Sequence, residues 1–337
     1  MKRSFLFEWI VFIAAIMAVP FIFKYVISYP LEPALRAGFF VMLAVSLTLV
    51  VGLAGQISLG HGAFFGIGAY TAAILATKLG LPAFLTIPLG TIAGVITGFL
   101  IGYPVLKLKS YYLALATLVV AIAVYEFFKA ADALTGGEMG LYNLPNIRAG
   151  NFELYSPFSH YYVVWIFALL VIFLCDHFSK SPVGKKLKAL HSDEEAAECV
   201  GIDVFWTKVK VFVLSSTIAA FAGALFAHCS YGTIYPGEFN VNLSIKIITM
   251  VVVGGMYSIY GAAAGAIVIS LLPEVIRRLG DFFHMDLTQI THINDIVFGI
   301  ILIVFMIFSP KGILGKKEEK SASGKRSFLP FWGTGSS

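Results

Sequence analysis

GLAGQISLGHGAFFGIGAY, residues 52–70, decides how the rest of the chain is read. Six glycines fall in it, Gly52, Gly55, Gly60, Gly62, Gly66 and Gly68, and each costs a helix interior about 1 kcal/mol relative to Ala. A helix meant to stand alone in water would not carry that load. Inside a bilayer the same residues let backbones approach closely, and close packing replaces the hydrophobic drive that lipid does not supply. Gln56, Ser58 and His61 add polar groups at or near membrane depth, where an unpaired donor or acceptor costs several kcal/mol. The pattern predicts a broken or re-entrant segment over about residues 52–60, followed by a spanning helix over about 62–77. Irregular backbone is tolerated at that depth where protein or a water-filled cavity surrounds it, so Gln56, Ser58 and His61 are candidate pathway residues. A packing surface with no solute contact is the other reading of the same glycines.

Composition agrees with the membrane setting. Of 337 residues 58% are hydrophobic and 13% charged, the balance of a polytopic membrane protein. The expected fold is an all-α helical bundle of about ten spans, at 9–25, 34–51, 62–77, 84–103, 111–128, 160–175, 207–228, 243–257, 261–277 and 291–308, with Gly-rich breaks. Lys and Arg favour one set of connecting segments two to one, which places both termini in the cytoplasm. In such a protein the net charge of +5 reads as topology, with no nucleic-acid partner implied. Met1 to Arg3 before an apolar run looks like a leader, but no small-residue cleavage site closes the run, so a retained first helix is expected. Residues 1–310 are expected to form one transmembrane domain, and the charged, small-residue tail at 311–337 is expected to be disordered. Cys175, Cys199 and Cys229 have no paired spacing, so neither a metal site nor a disulfide is indicated and burial as small hydrophobes is expected.

Further along, glycines recur at 90, 94, 98 and 102; the four-residue period puts them on one helix face, suited to close packing within the subunit or against a partner. Residues 130–160 are the longest outer segment, rich in turn formers and suited to a folded loop at a pathway mouth. Residues 180–210 are the long internal loop. Leu187, Leu190, Glu194 and Ala197 follow helical spacing and predict one narrow apolar stripe, with Ser192 as a helix cap and Glu195 completing a capping box. A surface helix at the lipid headgroups and a docking helix for a cytoplasmic partner both fit. VVVGGMYSIYG, residues 251–261, is a second Gly-rich run, so Gly254, Gly255 and Ser258 join the pathway candidates. Its likeness to the first hints at an internal duplication in which spans two to five are echoed by seven to ten.

Ionisable residues near the spans, Glu126, Lys246, Glu274 and Asp295, lie toward span ends, which speaks against a carrier with a central proton-binding carboxylate. Nothing in the chain reads as a catalytic motif. It has no G-x-x-x-x-G-K-[ST], no H-E-x-x-H and no C-x-x-C, so it binds no ATP through a P-loop of its own.

The run at 52–70 resembles the signature of the LivM-like permease subunits of branched-chain amino acid ABC importers. The likeness extends to LTGGEMG at 134–140, KLKAL at 186–190 with EAAE at 195–198 and GID at 201–203, FAGALFA at 221–227, VGGM at 253–256 with Gly261, and LPE at 272–274. It covers residues 36–315. The resemblance implies a non-enzymatic permease of the inner membrane, paired with a second homologous permease, two cytoplasmic ATPase subunits and an extracytoplasmic solute-binding protein. By similarity residues 185–201 become the ATPase-coupling region, with Lys185, Leu187, Leu190, Glu194, Glu195, Ala197 and Gly201 as its candidates. No cofactor would be bound by this chain, ATP and Mg residing on the ATPases. HSDE at 191–194 is more acidic than the family's usual pattern, so partner pairing there is expected to differ. Urea, short amides and nucleosides are carried by the same architecture, and an ion-coupled carrier acting alone or a transport-free scaffold are rivals of another class.

Overall fold

The computed structural model describes residues 31–108, 110–149, 152–153, 156–229, 232–282, 287–308 and 312–313. The span expected at 9–25 lies outside these, as does nearly all of the tail. Among the described residues, eleven α-helices of six residues or more carry the architecture: α1 (Glu32–Thr48), α2 (His61–Lys78), α3 (Ala83–Val105), α4 (Ser110–Ala130), α5 (Pro157–Lys180), α6 (Pro182–Ser192), α7 (Glu194–Cys199), α8 (Val204–Cys229), α9 (Val241–Gly254), α10 (Ile259–Phe282) and α11 (Leu287–Phe308). Among the described residues, seven segments are long and apolar enough to cross a membrane: those of α1, α3, α4, α5, α8, α9 and α10, the first lengthened to Leu53 and the ninth starting at Pro236. The protein is thus a multi-pass helical membrane bundle. From residue 34 onward a helix lies at each expected span, the one expected at 243–257 stopping at Gly254, but the helices at 62–77 and 291–308 are not among the seven.

The predicted break is there. α1 passes into a wide π-helical turn, Leu49–Leu53, and then loses helical form until His61. Gly55 takes a φ of +66°, a left-handed conformation that other L-residues enter at a cost of about 1–2 kcal/mol.

α2, α3 and α8 form the tightest part of the bundle. A methyl added at Gly68 would stand 2.0 Å from the Ala220 carbonyl oxygen, and one at Gly223 would stand 1.9 Å from that of Phe65. The stripe on α3 closes against α8, with Gly90 on Ala224, Gly94 on Ala220, Gly98 on Ser216 and Gly102 on Phe212. Both helices step by four residues, so their small-residue faces stay in register along the whole contact. The stripe therefore serves packing within the subunit.

Helix pairings occur twice. α8 packs on α2 and α3 as α1 packs on α9 and α10, while α2 adjoins α3 and α4 as α9 adjoins α10 and α11. Spans two to five are indeed echoed by the later set. The correspondence corrects one expectation: by helix order, the break at 52–60 matches the α8–α9 connection, and residues 255–258 match the α2–α3 connection. The two Gly-rich runs look alike because each permits close backbone approach.

At the end of the bundle away from α6, the two longer connections fold on each other. Leu141 and Tyr142 pair antiparallel with Ile234 and Thr233, and Gly140 at φ +80° brings its backbone onto the Ile234 carbonyl. His228 joins the layer, its Nδ1 2.9 Å from the Pro145 carbonyl and its Nε2 2.6 Å from Thr86 Oγ1. Cys175 and Cys229 are buried as expected, whereas Cys199 is exposed at the end of α7.

Candidate functional site

The sequence candidates Gln56, Ser58 and His61 come together inside the bundle, all buried. Residues 55–60 run between α1 and α2 with alternate exposure: Gln56, Ser58 and Gly60 turn in, and Ile57 turns out. Polar side chains take up the backbone groups that the break releases. Leu59 N–H donates to Thr117 Oγ1 at 3.0 Å, Gly60 N–H to Ser58 Oγ at 3.4 Å, and Gly62 N–H to Ser244 Oγ at 3.1 Å. His61 Nε2 lies 2.7 Å from Ser215 Oγ, which donates to the Ser46 carbonyl at 2.5 Å. That chain assigns the proton to Nε2. Gln56 Oε1 and His61 Nδ1 have no hydrogen-bond partner among the described residues.

Gly254, Gly255 and Ser258 form the second break. Gly255 takes φ +115°, and Ser258 Oγ accepts from Gly261 N–H at 3.1 Å, capping α10. The two breaks touch: a methyl on Gly52 would stand 1.9 Å from the Met256 carbonyl oxygen. Here the bundle is filled by backbone against backbone.

The internal loop folds as two helices. Ser181 caps α6, accepting from Gly184 N–H at 3.2 Å, and Asp193 caps α7, accepting from Ala196 N–H at 3.1 Å. The expected cap at Ser192 is therefore corrected: its hydroxyl donates to the Lys188 carbonyl, and the extended Asp193 ends one helix and starts the next. The single stripe is corrected with it. Leu187 and Leu190 are buried against the bundle and Ala197 packs with Leu190 and Val204, but Glu194 is exposed and pairs with Lys208 at 2.5 Å. Lys185, Glu195 and Gly201 are exposed as well. α6 rests on the π-helical turn of the first break. Its last turn places the His191 imidazole against Gly55 and 5.7 Å from the Tyr257 ring, so one side chain touches both breaks.

A cavity of about 270 Å³ lies near the end of the bundle away from α6, and the sequence did not reveal it. Arg36, Phe39 and Phe40 of α1, Phe65 of α2, Phe226 of α8, and Tyr235, Gly237, Glu238, Asn240, Asn242, Leu243 and Lys246 before and along α9 line it. α1 sets its place, since Arg36 lies about 25 Å along the helix axis from the break beneath His191. Phe39, Phe65 and Phe226 build an aromatic wall, with ring centroids 5.3 Å apart for Phe39–Phe226 and for Phe65–Phe226. Charged groups face that wall. Arg36 reaches Glu238 Oε1 at 3.3 Å and Glu32 at 3.0 Å. The Glu238 side chain is 10% exposed, and its Oε2 is buried with no hydrogen-bond partner among the described residues. Lys246 Nζ stands 5.0 Å from the centre of the Phe298 ring. Asn240 caps α9, accepting from Leu243 N–H at 3.2 Å, so the positive end of that helix dipole is at the cavity. Burial, reinforced by the Glu238 carboxylate, pushes the Tyr235 phenol above its ordinary value and keeps it protonated.

Arg36 and Glu238 are 202 positions apart, and no local pattern joins them. The one signal available was a Glu directly after Pro236–Gly237 and before an apolar run with a Lys in it. Such a cavity is smaller than the sites of drug-sized ligands and offers both charge signs and an apolar wall to a small solute.

Comparison with known proteins gives the chain its relatives. The family described as "Branched-chain amino acid transport system / permease component" matches residues 29–306. The high-affinity branched-chain amino acid transport system permease protein LivM of Salmonella typhimurium is 28% identical over 327 residues, 90% of this chain and 74% of that protein. BraD of Pseudomonas aeruginosa, a permease protein of the same description, is 27% identical over 83% of this chain and 92% of its own length. LivH of Salmonella typhimurium is also 27% identical, over 83% of this chain and 92% of that protein. No solved structure matches. With the family match running through every described helix, the chain belongs to the permease components of branched-chain amino acid transport systems.

Proposed function

We propose that this chain is the permease subunit of an ATP-driven importer that passes branched-chain amino acids into the cytoplasm, with hydrolysis supplied by other chains. The observation that carries the reading is a pairing of two features at opposite ends of one bundle. One is a cavity with a carboxylate, cations and phenyl rings. The other is a pair of short helices that expose Lys185, Lys186 and Lys188 while anchoring Leu187 and Leu190 in the bundle. In this reading the exposed face of α6 and α7 receives a cytoplasmic ATPase, which binds ATP and Mg itself. A second, homologous permease completes the membrane unit, as the likeness to both LivM and LivH supports. An extracytoplasmic binding protein delivers solute at the cavity end. The complex then sits in the inner membrane with both termini of this chain in the cytoplasm.

Hydrolysis drives transport only if the two states of the bundle differ in their affinity for solute. The touching breaks supply a place for such a difference, since separating Gly52 from Met256 would open the filled end. The test is reconstitution of the chain with its neighbouring subunits in liposomes. ATP-dependent leucine uptake that fails without the ATPases is the expected result; uptake by this chain alone, driven by an ion gradient, would refute the importer.

A further inference from the structure

Where α3 ends and α8 begins, aromatic rings crowd the outer surface of the bundle. Trp206 stands 6.4 Å from Phe99 and 6.1 Å from Tyr103, and Phe205 meets Tyr103 edge-on at 5.4 Å. Phe99, Tyr103 and Trp206 are nonetheless exposed, as are Ile96 and Leu100. On α3 these positions fall at i, i+3, i+4 and i+7, so one apolar ridge faces the surrounding bilayer. Two exposed cations bracket the rings. Lys107 Nζ lies 4.4 Å from the centre of the Tyr103 ring, and Lys210 follows Trp206 by one helical turn on the same face of α8. Phe212 packs on Gly102, which puts the start of the Lys210 side chain within about one turn of the level of Tyr103. Among the described residues no carboxylate pairs with Lys107 or Lys210. The acids nearest in sequence to Lys210 are engaged elsewhere: Glu194 pairs with Lys208, and Asp203 caps α8 by accepting from Trp206 N–H at 3.0 Å.

Lys210 belongs to a segment apolar enough to cross a membrane, Val204–Cys229. A lysine on the outer face of such a span is costly unless its ammonium reaches the headgroups or meets an anion there. Aromatic rings of this kind favour the headgroup level, and clustered lysines beside them favour lipids of negative charge. A choline headgroup answers two lysines poorly, because its own ammonium opposes them. We propose that the face between the end of α3 and the start of α8 binds one anionic phospholipid. Its phosphate lies between Lys107 and Lys210, and an acyl chain runs along Tyr103, Phe99 and Ile96 toward the middle of the bilayer. The site goes beyond the importer reading and needs neither ATP nor transported solute.

The test places the full chain in phosphatidylcholine vesicles that carry a rising fraction of phosphatidylglycerol brominated on its acyl chains, or of brominated phosphatidylcholine as the neutral probe. Bromine quenches tryptophan at short range, and the quenching that Trp206→Phe removes is the share due to Trp206. Brominated phosphatidylglycerol should half-quench Trp206 at a mole fraction at least about fivefold below that of brominated phosphatidylcholine, since a single lysine near a charged headgroup is worth about that factor. Lys107→Gln with Lys210→Gln should bring the two lipids level. Lys107→Arg with Lys210→Arg should keep them apart, because a guanidinium also meets phosphate. Equal quenching by both lipids in the parent chain overturns the site, and that comparison stands even if the Gln pair fails to fold. A preference that survives in the Gln pair, or is lost in the Arg pair as well, overturns it too. Quenching by both lipids that disappears once the neighbouring subunits are added gives the face to a protein partner and overturns the lipid site.

Discussion

Gly68→Ala adds one methyl where two backbones meet. The new Cβ would lie 2.0 Å from the Ala220 carbonyl oxygen and 2.6 Å from the carbon that bears it, against an ordinary contact of about 3.4 Å. The obstacle is main chain, so no rotamer change relieves it and α2 must part from α8 by more than 1 Å. The reciprocal contact of Gly223 on the Phe65 carbonyl loosens at the same time. Ala is the better helix former by about 1 kcal/mol, while overpacking a well-filled interior costs about 1–3 kcal/mol, the upper end where nothing yields. The expected net is a loss of roughly 1–2 kcal/mol. Gly299→Ala is the matched control, since a methyl there meets nothing within 4 Å and the helix-propensity gain stands alone. Thermal unfolding can be followed in detergent with a thiol-reactive dye reporting on buried Cys175 and Cys229, in a Cys199→Ser background. The melting temperature should fall for Gly68→Ala and hold or rise for Gly299→Ala. If both behave alike, the α2–α8 contact does not hold the bundle as argued.

Ser215→Ala should destabilise by about 1–3 kcal/mol, because it removes the hydroxyl that His61 meets at 2.7 Å in a buried place; the same melting assay reads it. Asp193→Ala should speed proteolysis between α6 and α7 by removing a cap worth about 1 kcal/mol, whereas Ser192→Ala should leave the rate unchanged. Lys185→Glu with Lys188→Glu should abolish co-purification of the ATPases while leaving the melting temperature within a degree or so of the parent, as expected of exposed substitutions. Leu187→Asp, by contrast, should lower the melting temperature itself, since that side chain is fully buried in the bundle core.

What was legible in the sequence was local. Glycines at four-residue spacing named the α3 face, and a Gly-rich polar run between apolar segments named the break, because each feature follows from the backbone within a few residues. Which surface the stripe would meet was not legible, since it depends on α8, more than a hundred residues away, presenting Ala and Ser at the same period. The turn at 192–193 was misread for a related reason. Both residues can cap a helix, and the choice fell to Asp193 because the chain extends there to turn between α6 and α7. The cavity was the least legible feature of all. Its carboxylate, its guanidinium and its rings come from three helices and a connection, and each one read singly looks like an interfacial charge or a core phenyl.

The position of His191 has a mechanical consequence. α6 is held at Leu187 and Leu190 as a stiff block, and the imidazole at its tip leans on Gly55 on one side and neighbours Tyr257 on the other. A tilt of that block would therefore reach both walls of the filled end in a single stroke, and under the proposed importer reading a push received at the surface lysines would need no splitting or timing.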